Sequence, residues 1–125
     1  MNLPQIDADE RRYKHAELTE RITGVFYNVY NELGFGFLES VYEEAMALAF
    51  KERGINFQRQ VSVPIWFHGQ KIGSYNADIV VDELVLVELK ACKTLEPAHE
   101  AQLLHYLRST EIEVGLLLNF GPNHR

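Results

Sequence analysis

The chain has 125 residues, 46% of them hydrophobic and 24% charged, with 18 acidic side chains against 12 basic ones and a formal charge of −6. That balance fits one globular domain with a real apolar core, and it excludes a protein that coats nucleic acid through bulk positive charge. A lone cysteine, Cys92, excludes an internal disulfide, and the longest apolar runs, Ile79 to Val81 and Leu84 to Val87, fall far short of the roughly 20 residues a membrane helix needs.

The first segment, residues 1–16, is polar and without period, and is expected to be a flexible arm ahead of a single domain over residues 17–125. From Leu18 onward Ile22, Val25, Phe26, Val29, Tyr30 and Leu33 recur at steps of three and four, which predicts a helix starting near Thr19 or Glu20 and ended by Gly34. Gly34-Phe35-Gly36-Phe37 reads as a short connector. A second helix is expected from about Glu39 to Arg53, with Val41, Ala45, Leu48 and Ala49 as its inner stripe and Gly54 in a left-handed cap. The two helices should form a hairpin.

After Gly54 the period becomes two. Phe57 to Phe67 alternates with mostly polar neighbours, His68-Gly69-Gln70 turns the chain, and Lys71 to Val81 returns as a strand. Pro64 marks the first of these strands as an edge or a bulged one. Leu84 to Ala91 is apolar on both faces through Val87 and is expected to be a central, covered strand. A helix from about Pro97 to Ser109 and a last strand, Val114 to Phe120, complete the order ααβββαβ. The fold class is therefore α/β (α+β), a mixed sheet flanked by helices.

Charge inside the strands is the most informative feature. Glu88 and Lys90 share the face of Leu84 and Leu86 on a strand that should be covered, and unpaired buried charge is costly. The preceding strand carries one acid among apolar residues, Asp78. A two-residue Asp82-Glu83 loop would put Asp78 and Glu88 on opposite faces, whereas a longer connection sets them across from each other at Cβ separations of roughly 5 Å. Asp82-Glu83 lacks the glycine that tight primed turns favour, which favours the longer connection. Two carboxylates that close repel, and a hard divalent cation relieves them; Mg²⁺ suits one or two carboxylates together with substrate phosphate. Lys90 would then orient a water nucleophile or offset charge on a phosphate. The same three residues also fit a purely structural ion-pair cluster at a sheet end.

The spacing from Asp78 to Glu88-Leu89-Lys90 resembles the core motif of the PD-(D/E)XK nuclease superfamily, with Ala77 in place of the proline. Gly36-Phe37-Leu38-Glu39-Ser40-Val41-Tyr42 resembles the G-x-x-E-x-x-Y signature of the bacterial GxxExxY proteins, and Gln102 to Tyr106 reads Q-x-x-x-Y, as in RecB-type exonucleases. The resemblance runs from about Leu18 to Phe120. It implies a restriction-endonuclease-like fold and Mg²⁺-dependent phosphodiester hydrolysis on DNA or RNA, with Mn²⁺ able to replace Mg²⁺. In that scheme Asp78 and Glu88 are metal ligands, joined by the carbonyl of Leu89 and, directly or through water, by Glu39. Lys90 is the catalytic lysine, and Gln102 and Tyr106 orient metal or phosphate.

The residues alone support plainer roles as well. Glu39 is the kind of acid that a helix dipole favours in a first turn, and a tyrosine one turn from a glutamine is often a packing pair. His68, His99 and His105 are too scattered for zinc, and Cys92 is expected to pack near the site. Trp66 and Phe67 fit a core edge or a dimer contact better than a stacked base. The acidic balance keeps a second function open: a catalytically inactive nuclease-fold module for binding or assembly, with a homodimer or protein partner. The expected setting is a reducing cytoplasm, away from any membrane.

Overall fold

The computed structural model describes residues 6–7 and 15–122. In chain order the elements are β1 (Ile6–Asp7), α1 (Ala16–Leu33), α2 (Glu39–Glu52), β2 (Phe57–Phe67), β3 (Gln70–Val81), β4 (Val85–Lys90), α3 (Pro97–Arg108) and β5 (Val114–Asn119). The strands form one mixed sheet ordered β1-β5-β4-β3-β2, with β4 and β5 parallel and the other neighbours antiparallel. Three helices flank it, and the architecture is restriction-endonuclease-like. Most of the polar arm lies outside the described residues, while Ile6 and Asp7 pair with Leu118 and Leu117. None of the described helices is long and apolar enough to cross a membrane.

Each face of the sheet has its own core. On one side α1 and α2 close over Ile79, Val81, Val85, Val87, Leu89, Leu116 and Leu118, with Phe26, Phe50 and Met46 filling the gap. On the other, α3 lays Leu103 and Leu107 on Val80, Leu86 and Leu117. The strand β4 is therefore covered on both faces, as its unbroken apolar run requires.

The buried stripe of α2 differs from the expected one. Tyr42, Glu43, Met46, Ala47, Ala49 and Phe50 face inward, while Val41 and Leu48 are exposed, and Ala45 is half-buried. The reason lies in two polar side chains that the fold satisfies internally. The hydroxyl of Tyr42 donates to Gly34 O at 2.6 Å and accepts from Phe37 N at 3.3 Å, while its ring stacks on Phe120 at 4.1 Å. Glu43 is held by Arg59 Nε at 2.9 Å and Gln60 Nε2 at 2.7 Å. Burying those two residues rotates the helix away from the stripe that hydrophobicity alone selects.

The β2–β3 pairing is long, from Phe57 opposite Val81 to Phe67 opposite Gln70, with a register shift beside Pro64 at Ile65/Trp66. Its turn places both His68 and Gly69 at positive φ. As Pro64 suggests, β2 is an edge strand.

Candidate active site

The site is built where β3 and β4 part. Their ladder pairs Val81 with Val85, Val80 with Leu86 and Ile79 with Val87, so the connection is the longer one of three residues. Yet Asp82 and Glu83 both take left-handed backbone, φ 54° and 59°, and Leu84 N donates to Val81 O at 2.9 Å. The missing glycine therefore does not prevent a primed turn conformation; Leu84 is the extra residue that sets the register.

Beyond Ile79 and Val87 the next residues on the two strands are Asp78 and Glu88, and there side chains take over from the backbone. Asp78 N donates to Glu88 Oε2 at 3.0 Å, and Leu89 N donates to Asp78 Oδ2 at 2.9 Å. Each carboxylate thus uses one oxygen to close the sheet, and Asp78 Oδ1 and Glu88 Oε1 take no part in these two bonds. The pair is half-buried. Burial is the chief cause that raises both carboxyls, Glu88 from its ordinary 4.5 up to about 7, with the charge of Asp78 adding to it at Glu88 and the charges of Glu43 and Glu39 adding to it at Asp78.

Lys90 follows on the same strand. Its charge favours the ionised form of both acids, but no salt bridge joins its ammonium to either of them. Its carbonyl accepts Phe120 N at 2.7 Å, which fixes the end of β4.

Glu88 and Lys90 line a cleft together with Tyr75, His99, Gln102, Leu103, Tyr106 and Leu117. Gln102 Nε2 donates to the Tyr106 hydroxyl at 3.0 Å, and the ring of Tyr106 stacks on Tyr75 at 3.5 Å. The Tyr75 hydroxyl is buried against Glu88, and burial with the neighbouring carboxylate holds its proton firmly in place. The fold thus ties Asp78, Glu88 and Leu89 together by hydrogen bonds, places Lys90 next along the strand, and sets Gln102 and Tyr106 over the α3 side. Glu39 is different: it stands exposed at the first turn of α2, and its charge reaches Asp78 less strongly than that of Glu43.

Three supporting residues escape a reading of the sequence. Tyr75 sits on a strand whose alternation marks it only as half-buried. Asn119 is fully buried and clamps the chain after β4: its Oδ1 accepts Cys92 N and Gly121 N, both at 3.0 Å, and its Nδ2 donates to Cys92 O at 3.0 Å. A side chain on Gly121 would meet Cys92 O at 1.8 Å, so only glycine allows this approach. Tyr30 then donates to Gly121 O at 2.9 Å. Cys92 packs in this clamp, its thiol 3.4 Å from Thr94 O.

The donor set fits a small hard cation, not a closed cage. Among the described residues no group of three or more His, Cys, Asp or Glu side chains converges. Two carboxylates, each with one oxygen outside the bonds that close the sheet, are nevertheless the kind of set that holds an ion keeping several waters.

A family model described as the PD-(D/E)XK nuclease superfamily matches residues 16–125. No curated protein and no solved structure matches the chain. The match spans α1 to the C-terminus and contains the whole Asp78, Glu88 and Lys90 unit, and on that ground the chain belongs to the PD-(D/E)XK nuclease superfamily.

Proposed function

We propose that the protein is a metal-dependent nuclease that hydrolyses phosphodiester bonds of DNA or RNA at the Asp78, Glu88 and Lys90 unit. The observation that carries this is the state of Lys90. It is held beside two carboxylates yet is ion-paired to neither. A structural ion-pair cluster would have closed those contacts, since a half-buried charge left open is costly.

Asp78 and Glu88 would hold a divalent cation, Mg²⁺ or Mn²⁺, through the carboxylate oxygens that do not close the sheet, with the Leu89 carbonyl and the more distant Glu39 as further ligands. Such a cation, when bound, withdraws charge from a phosphate oxygen and lowers the pKa of water. The work of the chain itself is orientation. Lys90 aligns the attacking water against phosphorus, or donates to a non-bridging oxygen as the P–O bond to the leaving group breaks. Gln102 donates to the Tyr106 hydroxyl, so the tyrosine keeps its own proton for a phosphate oxygen. The Gly36, Glu39 and Tyr42 pattern supports placement among the GxxExxY proteins, and the lone Cys92 is in keeping with a reducing cytoplasm.

The test is cleavage of single-stranded, duplex and structured DNA and RNA by purified protein in Mg²⁺ or Mn²⁺, with chelator and Lys90→Ala as controls. Cleavage lost in both controls is the expected result. Absence of any Lys90-dependent cleavage overturns the reading and leaves a nuclease-fold binding module.

A further inference from the structure

The β2–β3 hairpin runs well past its neighbour. Only Ile79 to Val81 of β3 pair with β4, whereas β2 and β3 stay paired to Phe67 and Gln70. Its base is held against α3 by the stack of Tyr75 on Tyr106, and so belongs to the cleft. Its tip stands open to solvent: Trp66 is 51% exposed, Phe67 58% and Ile72 63%. The Phe67 and His68 rings already lie parallel at 4.0 Å.

Charge distinguishes this arm from the rest of the molecule. In a chain of net charge −6, no Asp or Glu occurs from Arg53 through Ala77, a stretch that holds Arg53, Arg59 and Lys71. Its remaining polar groups are amides, hydroxyls and His68. Arg59 is engaged by Glu43 and Glu44, which leaves Lys71, opposite Trp66, as the cation at the tip. An acid-free, aromatic arm is a part of this surface that a polyanion can approach with little repulsion. Bases have flat faces that stack on such rings whatever their identity, provided they are unpaired.

We propose that the tip of the β2–β3 hairpin is a stacking platform for unpaired bases, so that single-stranded nucleic acid is the substrate class presented to the cleft at the hairpin's base. This rests on the nuclease reading for the fate of the strand, but not for its binding. Trp66 is the only tryptophan in the chain and reports its own surroundings.

The experiment is a titration of the full chain in chelator, read by Trp66 fluorescence, with unstructured single-stranded DNA, the same sequence as RNA, and the matching duplex. Quenching by the single strands at concentrations where the duplex leaves emission unchanged is expected, and the DNA and RNA arms rank the two sugars. Anisotropy of a labelled strand should show Trp66→Ala with Phe67→Ala binding roughly tenfold more weakly. No quenching by any strand overturns the proposal, as does quenching that follows protein concentration alone with a dimer's mass, which would assign the tip to a second copy. Quenching without cleavage by untreated protein would remove the nuclease reading and leave the platform; cleavage without quenching would do the reverse.

Discussion

The two faces of β4 are built from alternate residues of one hexapeptide and do opposite things. Val85, Val87 and Leu89 complete a closed apolar core under α1 and α2. Leu86 begins the same way against α3, but Glu88 and Lys90 then open that face into a cleft. The closed face supplies the cohesion that holds two half-buried acids beside an ammonium ion-paired to neither of them, an arrangement that costs stability by itself. The proposed chemistry sits where packing stops, one residue along the strand from where it is complete.

Changes to the open face should remove activity with little loss of stability, and changes to the closed face should do the reverse. The largest effect is expected at Lys90. Lys90→Met should lower cleavage roughly 10²- to 10⁴-fold, the usual range for a positioned catalytic group, while urea unfolding shows little change. A loss of several kcal/mol in stability would make Lys90 structural. On the closed face Leu89, 1% exposed, should cost about 2–5 kcal/mol when changed to alanine. Between the faces, Asn119→Ala leaves Cys92 N and Gly121 N without their acceptor and should cost about 1–3 kcal/mol by denaturant unfolding.

Glu88 gives a pH signature. Its carboxyl is raised from 4.5 to about 7, chiefly by burial. The folded chain therefore keeps a proton there that the unfolded chain has released. Below pH 4.5 both states are protonated and nothing is lost. As pH rises through that window, the metal-free protein should lose stability, on the order of 3 kcal/mol once pH passes 7. Thermal melts across the window should show this slope in wild type and a flatter one in Glu88→Gln. An equal slope in both would place the penalty elsewhere. The smallest effect belongs to Tyr106→Phe, which keeps the stack on Tyr75 and loses the bond from Gln102, worth about 1 kcal/mol.

Much of this was legible in the residues. Alternation and Pro64 give the hairpin and its edge, and two acids on neighbouring strands ahead of Lys90 give the site once the register is known. The register itself rests on a turn that left-handed Asp82 and Glu83 form without glycine, against their ordinary preference. Hydrophobicity alone misplaces the stripe of α2, because it does not mark Tyr42 and Glu43 as inward residues. Their polar atoms are satisfied by Gly34, Phe37, Arg59 and Gln60, partners that exist only in the fold. The role of Tyr75 and the Asn119 clamp are long-range facts of the same kind. In G-x-x-E-x-x-Y, the tyrosine closes the connector between α1 and α2, which leaves Glu39 as the member of the signature with an exposed side chain near Asp78.

A metal-dependent nuclease of this design needs Asp78 and Glu88 to hold a divalent cation. The most direct measurement is a crystal soaked in Mn²⁺ at pH 8 with anomalous differences collected at the manganese edge. A peak bridging a carboxylate oxygen of Asp78 and one of Glu88, absent from Asp78→Asn crystals, is the predicted result. No peak there, or one that persists unchanged in the variant, would contradict it.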